Sequence, residues 1–222
     1  MLKGIEINCH SSIKICKGKT IYIDPFKIEK QSNDADIILV THDHYDHFSP
    51  EDIEKISNKD TKIVAPKTVK ALSKMRNTAL VEPNNVYKVK GIRIETIPAH
   101  NVNKQFHPKD NQWVGYIIEI ENIRYYIAGD TDVTPENKQV KCDVAFIPVG
   151  GTYTMNYEEA AELVNVIKPK IAVPTHYGDI VGEKYDGEKF KNLLDAEIKC
   201  EILIKWGNIW KNFWKLSLYY FL

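Results

Sequence analysis

Residues 37–47 read Ile37-Ile38-Leu39-Val40-Thr41-His42-Asp43-His44-Tyr45-Asp46-His47. The first four form an apolar, β-branched run of the kind that makes a buried strand. Directly after them, His42, His44, Asp46 and His47 place four potential metal ligands within six positions. A strand that ends in such a cluster aims several imidazoles and carboxylates at one point in space. Few structural needs call for that, whereas binding more than one metal ion does.

Working outward, the chain alternates strand-rich and helical stretches. Gly4 to Cys9, Ser12 to Cys16 and Thr20 to Ile23 are Ile-rich and partly alternating, with a turn at Lys17-Gly18-Lys19. After the His/Asp loop, Ser49-Pro50-Glu51-Asp52 carries a helix start: Ser as N-cap, Pro at the first helical position, acids in the first turn. A helix to about residue 57 follows, then a strand at Ile63-Val64-Ala65 and a second helix over 67–75. Strands return at Asn85 to Val89, Ile92 to Ile97, Val114 to Ile120, Arg124 to Ala128 and Val144 to Ile147. Ala160, Ala161, Leu163, Val164 and Ile167 mark a helix within 156–168, which Pro169 ends. Ile171 to Pro174 reads as a last core strand, followed by a helix near 187–196 and a strand near 200–204. This β-rich, α, β-rich, α pattern predicts one α/β sandwich over residues 1–204, two sheets face to face with helices outside.

Composition narrows the function. With 222 residues, 43% hydrophobic and 27% charged, the chain is long enough for a sizeable core. Lys+Arg and Asp+Glu both number 30, so no global charge favours nucleic acid or an anionic membrane. Cys9, Cys16, Cys142 and Cys200 contain no C-x-x-C pair, which argues against a cysteine-held zinc. Without an apolar leader at the N-terminus, a cytoplasmic protein with reduced thiols is expected.

Three further strand ends carry a ligand-type residue: His100 after Ile94–Ala99, Asp130 after Tyr125–Gly129, and His176 after Ala172–Thr175. With the cluster they make seven candidates where strands meet loops. Two divalent ions suit that set, one held by three imidazoles, the other by a carboxylate and two imidazoles, with a carboxylate between them. Two such ions share a water and bring its pKa toward about 7. Asp24 before Pro25 is either a turn residue or an acceptor that orients a ligand histidine. Asp132 reads as a turn residue or Asx cap. His107 lies in the polar loop Asn101–Pro108. That loop is either solvated or a cover in which Lys104 or His107 binds an anion or protonates a leaving group. Gly150-Gly151 and Tyr153 follow a core strand and either make a plain turn or face the site.

The set His42-x-His44-x-Asp46-His47 with His100, Asp130 and His176 resembles the metallo-β-lactamase superfamily of binuclear metallohydrolases over about residues 4–204. The resemblance implies a four-layer αβ/βα sandwich of two mixed sheets. It implies one metal on His42, His44 and His100, another on Asp46, His47 and His176, and Asp130 as the bridge. Gly18–Pro25, Ala128–Asp132 and Pro148–Tyr153 resemble its small single-domain members near the L-ascorbate-6-phosphate lactonase type. That subgroup often has a Gly-His pair where this chain has Cys9-His10; with Cys9 in place of the glycine, His10 lies either near the site or apart from it. Flavodiiron oxidoreductases of the superfamily have Glu at the position of His44.

The reading is thus a hydrolase with two divalent ions, Zn2+ ahead of Mn2+ or Fe2+. A metal-bridging hydroxide attacks an ester, lactone, amide or phosphodiester, with Asp46 orienting it and His107 a candidate acid. A small, preferentially anionic substrate is expected, with no nucleic acid. The alternatives are a non-catalytic metal-binding module and a di-iron redox protein. Residues 205–222 are strongly apolar and aromatic, with Trp206, Ile209, Trp210, Phe213 and Trp214 on one helical face. The tail is shorter than the roughly 20 residues that span a bilayer. It reads as a packed helix, a subunit contact giving a homo-oligomer, or an interfacial helix, in that order.

Overall fold

Strand β4 (Ile37–Leu39) shows why residues 37–40 are apolar without alternation. Successive side chains of a strand point to opposite faces. Ile37 and Leu39 fall in the large cluster shared with Ile15, Ile23, Tyr116 and Phe146. Ile38 and Val40 fall in a second cluster with Ile53 and Ile56 of helix α1 (Pro50–Ile56). The strand is therefore covered on both sides, and all four residues are fully buried.

A computed structural model gives this architecture and describes residues 1–205. Apart from Lys205, the aromatic tail and the readings made of it lie outside the described residues. The first sheet runs in order β1 (Ile5–Cys9), β2 (Ser12–Lys17), β3 (Lys19–Ile23), β4, β5 (Lys62–Pro66) and β6 (Thr78–Val81). Its first three strands are antiparallel and the rest parallel. The second sheet contains β7 (Val86–Val89), β8 (Ile92–Pro98), β9 (Val114–Ile120) and β10 (Ile123–Ile127), all antiparallel. It continues into the parallel strands β11 (Val144–Pro148), β12 (Ile171–Thr175) and β13 (Lys199–Cys200). The inner faces of both sheets meet in one core. Helix α1 covers the outer face of the first sheet. Helices α2 (Tyr157–Ile167) and α3 (Asp186–Asn192) pack on β11 and β12. The expected α/β sandwich, two facing mixed sheets with helices outside, is the one found. Among the described residues no helix is long and apolar enough to cross a membrane.

Local signals place the helices. The Ser49 side chain accepts from the Asp52 amide with Pro at the first turn. Asn156 and Glu159 form a reciprocal capping box at the start of α2. The expected helix over 67–75 is instead a 3-10 turn, Lys70–Lys74. Val69, Leu72 and Met75 each donate to the residue three before it, and Val69 and Leu72 are buried. A three-residue spacing of apolar positions suits the 3-10 geometry better than an α-helix. Strand β6, four residues and mostly half-exposed, is too short to show a pattern. The last strand is only Lys199–Cys200, and α3 ends earlier than expected.

Parallel pairing sets up the site. Ile23 pairs with Leu39, so Asp24 and Thr41 leave the sheet side by side. Phe146 pairs with Ile127 and Val173, and Pro148 with Thr175. The residues after β10 and β12, Asp130 and His176, thus emerge at the same edge.

Candidate metal centre

Asp24 anchors the loop after β4. Its carboxylate accepts the Thr41 amide at 2.8 Å, the Thr41 hydroxyl at 2.7 Å and His47 Nδ1 at 2.7 Å. It is fully buried. Of the two readings for Asp24, the structure supplies the hydrogen bond of a histidine-orienting acceptor. With Nδ1 held, His47 Nε2 turns to Asp130 Oδ1 at 3.3 Å and Asp46 Oδ2 at 3.5 Å. Orienting a ligand imidazole through its other nitrogen is the common arrangement around metals.

Two sets of potential ligand atoms result, each within 4.8 Å of one another: His42, His44, His107 and Asp130; and His10, Asp46, His47 and His176. Asp130 reaches both. Its Oδ2 lies 3.2 Å from His107 Nε2 and 3.9 Å from His42 Nε2 on one side, and 3.1 Å from His176 Nε2 on the other. Six of the seven predicted ligands are thereby brought together: His42, His44, Asp46, His47, Asp130 and His176.

His100 is the exception and falls in neither set. Its Nε2 faces Glu136 Oε2 at 3.8 Å and its Nδ1 the Asn101 carbonyl at 3.2 Å. The first set contains His107 instead. The loop from 101 closes on itself, because the Asn101 amide donates to the His107 carbonyl, and the chain returns His107 to the centre. Tyr153 O accepts from His107 Nδ1 at 3.1 Å and from Asn101 Nδ2 at 2.7 Å. Asp132 holds the same loop through the Val102 amide at 3.0 Å and an ion pair with Lys104. Of the His107 ring, Nδ1 is on the Tyr153 carbonyl and Nε2 faces Asp130.

His10, weighed only as a neighbour, sits within the second set. Its Nε2 is 3.2 Å from Asp46 Oδ2, and its ring lies tilted at 42° against His176 with centroids 3.8 Å apart. The signal available in sequence was its place directly after a strand. His10, Asp24, His107 and His176 all have left-handed backbone, φ between 46 and 57°, rare for residues with a side chain and frequent at functional sites. Gly150 completes the surroundings: a Cβ there would strike the His176 carbonyl, so only glycine lets the chain after β11 run against that turn.

The residues present fit metal ions. Among the buried atoms with no hydrogen-bond partner are His10 Nε2, His47 Nε2, His107 Nε2, His176 Nε2 and Asp130 Oδ1, and outside the two sets His100 Nε2; this is a costly state unless something else binds them. The electrostatics agree. Burial opposes charge on Asp130, yet His176 and His47 hold its carboxyl well below the usual carboxylate range. Burial also opposes charge on His47, but Asp130 and Asp24 outweigh it and push the imidazole up to about 9. His42, buried and beside His47, is held well below the usual value, and burial brings His10 down to about 4. Acid-rich positions that want positive charge, beside imidazoles kept neutral, are what a cation requires.

A fold of two mixed sheets with this His/Asp edge defines a class. Residues 5–176 match the family model described as the beta-lactamase superfamily domain. The chain is 30% identical over 215 residues to a UPF0173 metal-dependent hydrolase of Thermococcus onnurineus, covering 90% of this chain and 95% of the relative. A crystal structure of a candidate metal-dependent hydrolase from Parabacteroides distasonis superposes with a TM-score of 0.78 at 32% identity, covering 90% and 91% of the two chains. A di-iron β-hydroxylase of Streptomyces venezuelae shares the fold at a TM-score of 0.72 and 14% identity, over 90% of this chain and 52% of that one. The chain belongs to the beta-lactamase superfamily and, within it, to the UPF0173 family of metal-dependent hydrolases.

Proposed function

We propose that this protein is a binuclear metal-dependent hydrolase of a small molecule, cleaving an ester, lactone, amide or phosphodiester. The observation that carries the reading is Asp130, one carboxylate placed between two sets of ligand atoms. His42, His44 and His107 would hold one ion; Asp46, His47 and His176 the other, with His10 beside it. Imidazole and carboxylate donors suit Zn2+ first, with Mn2+ and Fe2+ as alternatives. Ions so held supply Lewis acidity and lower the pKa of water toward about 7.

The protein's own residues do the rest. Asp46 lines the cavity over the centre and is placed to orient the attacking water and take its proton. Asp24 and the Tyr153 carbonyl fix His47 and His107, so neither ring has to reorient during reaction. His44 stands where the flavodiiron branch has glutamate, which favours hydrolysis over redox chemistry; the di-iron chemistry of the Streptomyces venezuelae neighbour belongs to that protein. All four cysteines are free, in keeping with work in a reducing cytoplasm.

The test is elemental analysis of the purified protein with a screen of esters, lactones and phosphodiesters, repeated on Asp130→Ala. Two equivalents of metal and turnover in the wild type, both reduced in the variant, are expected. Metal content and turnover unchanged by Asp130→Ala would sink the reading. Metal without turnover of any substrate would favour a non-catalytic module, and iron with a visible absorption band the redox alternative.

A further inference from the structure

Above the centre lies a cavity of about 250 Å3, smaller than the roughly 300–1,000 Å3 common for ligand pockets. Its polar lining consists of candidate ligands at the floor. Its walls are Tyr45, Phe106, Tyr153 and Ile180. Phe106 and Tyr153 meet edge to face with centroids 4.7 Å apart, and Tyr45 leans on Phe26 at 6.0 Å. Phe106 and Tyr45 are nevertheless 46% and 66% exposed, so apolar surface at the mouth is left open.

Charge is distributed against an anion. No Lys or Arg lines this cavity among the described residues. The nearby cations already have carboxylates: Lys104 on Asp132, with Glu159 at 3.8 Å, and Lys27 on Asp179 at 2.6 Å. With the ions bound, the carboxylates of Asp46 and Asp130 are taken up by them, and a second negative group on a substrate would sit among the apolar walls with no Lys or Arg to pair it.

We propose that the substrate carries, beyond the bond that is cleaved, a small uncharged alkyl or aryl group that packs on Phe106, Tyr153, Tyr45 and Ile180. Phe106 sets that preference. This rests on the hydrolase reading and replaces the anionic substrate that the subgroup resemblance implied. Phe106 is well suited to the part, because it precedes His107 in the closed loop after β8. The wall and the ligand are thus positioned by the same hydrogen bonds, from Asn101 to the His107 carbonyl and from His107 to Tyr153. An apolar group seated on Phe106 lies beside the reacting centre, where burial of even one methylene discriminates.

The experiment compares two esters with one leaving group and nearly one length, para-nitrophenyl butyrate and para-nitrophenyl hemisuccinate, on the metal-loaded full chain. The butyrate is expected to have a kcat/KM about tenfold higher or more, mainly through KM. Phe106→Ala should raise KM for the butyrate about tenfold and erase most of the preference. Phe106→Leu should recover part of it, and Phe106→Lys should shift preference toward the hemisuccinate. Metal analysis of each variant separates a lost wall from a lost ligand. Equal or reversed preference in the wild type, or no effect of Phe106→Ala, overturns the proposal. Should neither ester turn over, the hydrolase reading is decided separately by the wider screen and Asp130→Ala. Saturation-transfer NMR with butyranilide and succinanilate then decides the inference. Stronger contact to the butyranilide is expected, and equal or stronger contact to the succinanilate overturns it.

Discussion

The loops after β4 and after β8 bring candidate ligands to the same centre by different means. The first, residues 41–47, holds four potential ligands in a short stretch that springs directly from a strand buried on both faces. Asp24 clamps its beginning at Thr41 and its end at His47. The second delivers a single imidazole, His107, from the far end of a longer excursion. The histidine nearest its strand, His100, points elsewhere. A ligand next to a strand end is placed by the sheet. A ligand several residues further on is placed by whatever hydrogen bonds close the loop, here those of Asn101, Tyr153 and Asp132.

The sharpest test of that contrast exchanges the two histidines of the second loop. His107→Ala should lower bound metal and reduce turnover by at least about 100-fold, as should His42→Ala from the first loop. His100→Ala should keep both metal equivalents and stay within about threefold of wild type, as for a change away from the centre. Equal damage from His100→Ala and His107→Ala would break the comparison. Next in size, Asp24→Ala removes the clamp of the first loop. It leaves buried donors on Thr41 and His47 unpaired, so stability should fall by about 1–3 kcal/mol in denaturant titration. Metal affinity measured by chelator competition should drop about 10–100-fold. Asp132→Ala loosens the second loop at a part-buried ion pair and one amide. Its metal affinity should fall by about tenfold at most, with little change in unfolding midpoint. The smallest effect is expected from Ile38→Val behind the first loop. It should lower stability by about 0.5–1.5 kcal/mol and leave metal content intact.

The same contrast explains what the sequence made legible. Residues 37–40 announce a buried strand because both faces are covered, and the spacing of His42, His44, Asp46 and His47 survives folding because nothing intervenes. Asn156 with Glu159 and Ser49 before Pro50 give their helix starts locally. His107 was legible as a site residue but not as a candidate ligand, because its partners, Tyr153 and Asp130, are distant in the chain, and the Asn101–His107 closure has no composition of its own. His10 was hidden for a similar reason. Its carbonyl accepts the His176 amide, a contact between the two sheets that only the assembled sandwich creates. The turn at 70–74 departs from the expected helix over 67–75 because Val69, Leu72 and Met75 fall three apart, which suits 3-10 geometry.

Asp130 has a consequence for how the centre fills. One carboxylate serves both ligand sets, so a cation seated in either changes the charge felt by the other. If two ions bind as proposed, their affinities are coupled, and by thermodynamic reciprocity each alters the other's binding by the same factor. A metal titration of this protein should therefore deviate from two independent isotherms, and Asp130→Asn, which weakens the shared charge, should move it toward them.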